Sequence, residues 1–224
     1  MSTLRAASIV LAKELRTEFR SFELLNTTFV FVLIVVVLFS FTFDPSSAES
    51  RRFGPGLLWI AFLFAGSLML QPSFVREQMN DTLAALRLAP VAPFGILLGK
   101  ILANFCFLFL AELVMLPLFA VLYNLAILPI LGQLLTVLFL GTLGLTTVGT
   151  VFSALSAQAR MRELLLPLLL LPALTPVLIA SSESTALLFA ETPEFSRTWV
   201  SVLAAFDLIF LTAAWLFGDY LFEE

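Results

Sequence analysis

The chain has 224 residues, of which 60% are hydrophobic and only 12% are charged, with a formal net charge of -4. A water-soluble domain of this size does not need so much apolar surface, so the composition predicts an integral membrane protein. The sequence contains no histidine and a single cysteine, Cys106. This removes the commonest ligand of zinc and haem iron, the commonest general base and any disulfide framework. No motif for nucleic acid occurs, and we predict no catalytic, cofactor-binding or metal-binding residue.

Residues 3–22 carry too many charges to span a membrane and predict an amphipathic helix. At helical period its basic and its apolar residues each fall within an arc of roughly 80°. The basic face is Arg5, Lys13, Arg16 and Arg20, and the apolar face is Leu4, Leu11, Leu15, Phe19 and Phe22. We expect this helix to lie in the interface of an anionic leaflet. The alternative is a disordered cytoplasmic tail.

Six apolar runs are long enough to cross a bilayer, and they predict an all-α integral membrane protein with one transmembrane domain over residues 1–224. The predicted spans are 24–43, 53–75, 94–122, 131–155, 164–181 and 198–220. We expect Trp59 to anchor the second span at the membrane interface and Lys100 to reach the cytoplasmic interface from the third. The fifth span is expected to be kinked or broken by Pro167, Pro172 and Pro176, and a polar loop over 183–197 to follow it.

The distribution of basic residues predicts the orientation of the chain. Six spans place both termini on one side, which we assign to the cytoplasm because loops there carry an excess of Lys and Arg. Nine basic residues then face inward: Arg5, Lys13, Arg16, Arg20, Arg76, Arg87, Lys100, Arg160 and Arg162. Three face outward: Arg51, Arg52 and Arg197.

Residues 76–90 form a polar segment between the second and third spans, on the predicted cytoplasmic side. At helical period it offers an apolar side and a polar side, and Pro90 ends the helix before the chain returns to the bilayer. We predict a short coupling helix that touches a partner; the alternative is a solvated loop. Its candidate contact residues are Arg76, Glu77, Asn80, Asp81, Leu83, Leu86, Leu88 and Pro90.

Two carboxyl groups are predicted near the middle of the membrane. Glu112 lies about 18 Å along a helix from Lys100, and Asp207 lies about 15 Å from Arg197. A carboxyl group at that depth is costly unless it is neutral or faces protein, water or a partner. Each is either hydrogen-bonded to a neighbouring helix or lines a conduit or a contact with another subunit.

The stretch from Gly95 to Lys100 looks superficially like part of a phosphate-binding loop. Its glycines are one residue too close, no Ser or Thr follows the Lys, and no strand precedes it. We interpret the two glycines as sites of close helix packing, and expect the chain not to hydrolyse ATP itself.

The order of these elements resembles the permease subunits of the ABC-2 exporter class. More narrowly, the chain resembles the haem exporter protein B family, the B-type membrane subunit of the cytochrome c maturation system. The resemblance covers nearly the whole sequence and rests on five blocks: Lys13-Glu-Leu-Arg-Thr-Glu-Phe-Arg20, Gly54-Pro-Gly-Leu-Leu-Trp-Ile60, residues 76–90, Gly99-Lys100, and Leu165-Leu-Pro-Leu-Leu-Leu-Leu-Pro172. Members of the broader class often have Gly before the Leu-Glu of the cytoplasmic segment, whereas Asp81-Thr-Leu-Ala84 stands here.

The resemblance implies a permease subunit without enzymatic activity in the bacterial inner membrane. A cytosolic ABC ATPase would carry ATP and Mg²⁺ and dock on residues 76–90, and a haem-handling C-type subunit and a small D-type subunit would complete the complex. Haem would be a possible substrate of the complex and not a bound cofactor of this chain. The chain would serve either haem export or the release of a haem-loaded chaperone. Two alternatives remain open: an ABC-2 permease for a lipid, glycan or drug, and a proton-coupled secondary transporter that uses Glu112 and Asp207.

Overall fold

A computed structural model describes residues 2–42, 48–71, 73–74, 93–156 and 162–218, without the side chains of 48–51 and 162–165. The described residues form seven α-helices and one short 3₁₀ helix, with no strand among them. The α-helices are α1 (Thr3–Ser21), α2 (Glu23–Thr42), α3 (Ala48–Leu70), α4 (Pro93–Leu122), α5 (Leu131–Ser156), α6 (Arg162–Leu188) and α7 (Arg197–Phe217). The 3₁₀ helix, Leu128–Ile130, leads into α5.

Helices α2 to α7 are each long and apolar enough to cross a membrane, which confirms the predicted all-α protein with six spans. In a bilayer every backbone N–H and C=O must find a partner within the protein, and a helix supplies those partners within one segment. Helix α1 is not among the six candidate spans. The predicted coupling helix at 76–90 lies outside the described residues.

Helix α5 occupies the centre of the bundle, because it contacts α3, α4, α6 and α7. Its glycines allow this crowding, since small residues let helix backbones approach closely. A Cβ atom on Gly141 would lie 2.3 Å from the Trp59 ring, so only glycine leaves room for the indole there. Helices α2 and α7 lie at the periphery, and only 17% of the best span window of each is buried inside the protein.

Two details differ from the sequence-based expectations, and each is explained by contacts inside the bundle. Trp59 is 0% exposed, and its indole N–H donates to Thr185 Oγ1 at 3.0 Å, so Trp59 does not anchor an interface. Helix α6 ends at Leu188, seven residues beyond the predicted end at Ser181, because Ser181, Ser184 and Thr185 are buried among the helices. Of the two forms expected for α6, kinked or broken, the structure excludes the broken one, because the three prolines lie within one continuous helix.

Candidate coupling junction

The chain on both sides of residues 75–92 is fixed in one buried apolar cluster. Phe74, just before this segment, is 2% exposed and belongs to a cluster with Val10 of α1, Ala214 of α7 and the α4 residues Ile96, Leu97 and Ile101. Phe94, just after it, packs on the same cluster. The described residues at both ends of this segment therefore pack on α1, α4 and α7.

Lys100 is the polar centre of this end of the bundle. It was expected to reach the membrane interface, but it is only 1% exposed and turned inward. Its ammonium donates to Glu14 Oε1 at 3.1 Å and to the carbonyl oxygen of Ser73 at 2.5 Å. It also lies 4.7 Å from the centroid of the Phe74 ring, within cation–π range. We call this group of Glu14, Ser73, Phe74 and Lys100 the Lys100 joint.

Glu14 supplies the negative charge of the Lys100 joint. Its side chain is 23% exposed and also accepts a hydrogen bond from Lys13 at 3.2 Å. Burial by itself raises the pKa of the Glu14 carboxyl, but Lys100 and then Lys13 outweigh that effect and hold the pKa below its ordinary value. Glu14 is therefore ionised near neutral pH and balances the buried ammonium.

Close packing holds α1 against the start of α4. A Cβ atom on Gly99 would lie 2.6 Å from Val10 Cβ and 2.8 Å from the carbonyl oxygen of Ala7. One on Gly95 would lie 2.9 Å from both Ala6 Cβ and the carbonyl oxygen of Thr3. The interpretation of this glycine pair as a helix-packing site is confirmed, and its partner is α1.

A second layer of polar contacts lies beside the Lys100 joint. Asn104 of α4 donates to Thr150 Oγ1 of α5 at 2.9 Å and to Ser73 Oγ at 3.4 Å. Ser153 Oγ of α5 donates at 2.7 Å to the carbonyl oxygen of Leu70, where α3 ends. These bonds connect the end of α3 to both α4 and α5.

Helix α1 presents a face to the protein that differs from its two predicted arcs. Its four basic residues are exposed, as are Leu4, Phe19 and Phe22 of the apolar arc, whereas Leu11 and Leu15 pack against the core. The face toward α4 carries Ala6, Ala7, Val10 and Glu14 instead. The basic face and the outer part of the apolar face, Leu4, Phe19 and Phe22, are thus exposed, whereas the rest of the apolar face is packed inside the protein.

Glu112 of α4 is fully buried against α5. Its Oε2 lies 2.5 Å from Thr142 Oγ1, which is also 2.6 Å from the carbonyl oxygen of Leu138. The other carboxyl oxygen of Glu112 has no hydrogen-bond partner among the described residues.

Asp207 of α7 is 4% exposed, and within the described part of the chain neither of its carboxyl oxygens has a hydrogen-bond partner. The carboxyl group lies against Gly144 of α5, where a Cβ atom would be 2.7 Å from Oδ1. The glycine therefore makes room for the Asp207 carboxyl group between α5 and α7.

Comparison with known proteins places the chain in a family. The family model described as CcmB protein matches residues 5–217, which is most of the chain. The chain belongs to the CcmB family. It is 34% identical over 202 residues to "Heme exporter protein B" of Pseudomonas aeruginosa, covering 90% of each chain. A protein of the same name from Rhodobacter capsulatus is 34% identical over 174 residues, covering 78% of this chain and 79% of its own length. One from Paracoccus denitrificans is 31% identical over 175 residues, covering 78% and 80%.

In this CcmB-family chain the two buried carboxyl groups lie on opposite sides of α5. Glu112 contacts Thr142 and Asp207 contacts Gly144. Two residues apart on a helix correspond to about 200° of rotation. The structure therefore brings the Lys100 joint together at one end of the bundle but keeps the two carboxyl groups apart.

The sequence did not predict roles for Glu14, Ser73 and Asn104, which connect the elements of the junction. Of these three residues, only Glu14 could have been noticed in the sequence. It is charged but falls on neither the basic nor the apolar arc of α1, which indicates a separate contact. The predicted contact residues of the coupling segment lie outside the described residues. The structure fixes the two ends to which that segment is joined.

Proposed function

We propose that this chain is the membrane permease subunit of an ATP-driven complex for cytochrome c biogenesis. The relatives that carry the name "Heme exporter protein B" support haem export as the activity of that complex. ATP hydrolysis would take place in a separate cytosolic ABC ATPase, with ATP and Mg²⁺ bound there. A haem-handling C-type membrane subunit and a small D-type membrane subunit would complete the complex beside this chain.

The observation that carries the ATP-driven mechanism is the anchoring of residues 75–92 at both ends. Phe74 and Phe94 pack on one buried cluster, and the Lys100 joint ties Ser73 to α4. A segment anchored in this way transmits a push from a docked ATPase into the helices. We infer that the coupling residues from Arg76 to Pro90 form the docking helix, and that the chain converts ATPase motion into haem export or release of a haem-loaded chaperone.

We further propose that Glu112 and Asp207 line the conduit or a contact with another membrane subunit. Asp207 supports this most directly, because an acid buried among helices normally finds a hydrogen-bond partner. Neither oxygen of Asp207 finds one among the described residues. A transported molecule or a neighbouring subunit would supply the missing donor.

Docking is tested by introducing charge into the apolar side of the coupling segment. Leu83→Asp/Leu86→Asp places two carboxylates where the partner groove should be apolar. Burying a charge in an apolar contact of this kind should cost about 2 kcal/mol of binding free energy or more, which corresponds to a roughly 30-fold loss of affinity. Capture of the ATPase by the purified variant is the measurement.

Thr192→Asp is the control, because Thr192 is exposed in the connection between α6 and α7, at the far end of the bundle and outside the candidate spans. It should capture the ATPase as the unaltered chain does. Undiminished capture by a well-folded Leu83→Asp/Leu86→Asp chain would refute the docking role.

A further inference from the structure

A row of hydroxyl side chains runs along one buried face of α5. Its members, which we call the hydroxyl stripe, are Thr142, Thr146, Thr150, Ser153 and Ser156. At helical period they fall within an arc of about 120° and extend over about 21 Å of helix. The three threonines are 0% exposed, and the two serines are 3% and 7% exposed. A buried row of polar groups therefore follows about half the length of an otherwise apolar span.

The hydroxyl stripe leads from a buried acid to the junction end of the bundle. Its first member, Thr142, lies 2.5 Å from Glu112 Oε2. Two turns further along α5, Thr150 accepts a hydrogen bond from Asn104 of α4 at 2.9 Å. Its last member, Ser156, ends α5 beside the junction. The stripe thus connects the Glu112 carboxyl group to one end of the bundle.

The same face of α5 has no hydroxyl group on the other side of Thr142. The positions that continue the arc toward the start of α5 are Leu131, Gly132, Leu135, Leu138 and Phe139. Hydroxyl groups that only hold helices together are useful at any depth in a membrane. Their restriction to one side of Glu112 points to polar access from the junction end alone.

Neighbouring hydroxyl groups of the stripe are spaced for bridging by single water molecules. Four residues of helix rise about 6 Å, and two O–H···O bonds through one water span about 5.6 Å. A hydroxyl group that donates to its own helix still has lone pairs that accept. Thr146 is of this kind, because it donates to the carbonyl oxygen of Thr142 at 2.7 Å. Waters along the stripe would therefore complete a continuous chain of O–H groups.

The elements packed around Glu112 bring no counter-ion to it within the described part of the chain. Helix α5 has no charged residue, and α3 has none over 53–70. Helix α2 has only Glu23, in its first turn, and α4 otherwise has only Lys100, about 18 Å along the helix. Helices α1 and α7 pack against the first turns of α4, far from Glu112. A carboxyl group in such a place is stable when it carries a proton, and the stripe is a polar route for that proton.

We propose that Glu112 is a proton-binding site that exchanges its proton with the junction end through the hydroxyl stripe and bridging water. On release, the O–H bond of Glu112 breaks and its proton passes to Thr142 Oγ1, which gives its own proton to the next water. Each group along the stripe takes one proton and gives one, so that a single proton leaves at Ser156. Uptake is the reverse. This inference does not depend on the docking of an ATPase, because the protons move within this chain.

Exchange of the Glu112 proton for deuterium in the purified full chain is the measurement. The infrared carbonyl band of the acid shifts when O–H becomes O–D, and the Glu112 band is the one lost in Glu112→Gln. Thr146→Val removes a hydroxyl group from the middle of the stripe. It should slow the exchange about tenfold, because the relay loses a hydrogen-bonding partner. Thr146→Ser retains the hydroxyl group and should exchange as fast as the unaltered chain.

Thr136→Val is the matched control. Thr136 lies on the same helix and donates to the carbonyl four residues earlier, as Thr146 does, but it is exposed and lies on the other side of Thr142 from the stripe. It should leave the exchange rate unaltered. Thermal unfolding of each variant separates the route from stability, because a destabilised chain opens more often and exchanges faster rather than more slowly.

Equal rates in Thr146→Val and the unaltered chain would overturn the inference, and so would equal slowing by Thr136→Val. An unaltered chain in which Glu112 is ionised, or exchanges only when the whole chain unfolds, would overturn it too. None of these outcomes bears on the docking of an ATPase, which the charged variants of the coupling segment test separately.

Discussion

At the scale of single residues, the contact between Glu112 and Thr142 contains information on the protonation of Glu112. Thr142 Oγ1 lies within hydrogen-bond distance of both Glu112 Oε2 and the Leu138 carbonyl, but a hydroxyl group has one proton to donate. On the same helix, Thr136 and Thr146 donate to the carbonyl four residues earlier. If Thr142 follows that pattern, the proton between it and Glu112 belongs to the carboxyl group, which is then a neutral acid.

Conservative amides test this interpretation and the proposed role of both acids. Glu112→Gln retains a donor for Thr142 and Asp207→Asn retains size, so both variants should keep thermal stability to within about 0.5 kcal/mol. The infrared carbonyl band of a protonated carboxylic acid should be present in the unaltered chain and lose the Glu112 contribution in Glu112→Gln. Cytochrome c assembly should decrease in the double amide variant. Full activity with both acids replaced would leave only a structural role for them.

At the scale of helices, the packing of α1 on α4 depends on two positions without side chains. Leucine at Gly99 would collide with Val10 Cβ and with the Ala7 backbone, which cannot move aside as a flexible side chain could. Overpacking of this kind typically costs about 1–3 kcal/mol. Because the collision lies at the α1 contact, it separates α1 from α4 and weakens the Lys100 joint.

We therefore expect Gly99→Leu to lower the midpoint of thermal unfolding and to reduce disulfide cross-linking between cysteines placed on α1 and α4. Gly132→Leu on α5 is the control, since a Cβ atom there meets nothing within 4 Å. Equal unfolding midpoints and equal cross-linking in the two variants would contradict the close packing of α1 on α4.

The helices were predictable from sequence because apolar runs of spanning length have few other stable forms in a bilayer. The face of α1 that packs on α4 was not predictable from sequence. There Ala6 meets Gly95 and Glu14 meets Lys100, which lie far away in sequence, whereas periodicity describes only one helix at a time. The burial of Trp59 was not predictable either, because it depends on the space at Gly141 and on the hydroxyl group of Thr185, both far away in sequence.

At the scale of the whole molecule, the basic residues whose side chains the structure describes divide unequally between the two ends of the bundle. The contacts of α1, Ser73 and Lys100 define the junction end, which carries five of them: Arg5, Lys13, Arg16, Arg20 and Lys100. Arg52 lies near the start of α3, and Arg197 begins α7. The other ends of both helices lie at the junction, so these two residues belong to the opposite end. This asymmetry favours a cytoplasmic junction end, because short cytoplasmic loops are enriched in Lys and Arg.

The orientation is tested with single cysteines at Ser8 on α1 and at Thr192 between α6 and α7, both exposed, in a Cys106→Ser background. A membrane-impermeant maleimide should label Thr192→Cys in intact spheroplasts and Ser8→Cys only in inverted membrane vesicles. The two ends would then face opposite compartments, with the coupling segment on the side that contains ATP. The reverse labelling pattern would place residues 75–92 outside the cell, where no cytosolic ATPase could dock, and would thereby refute the proposed function as well as the orientation.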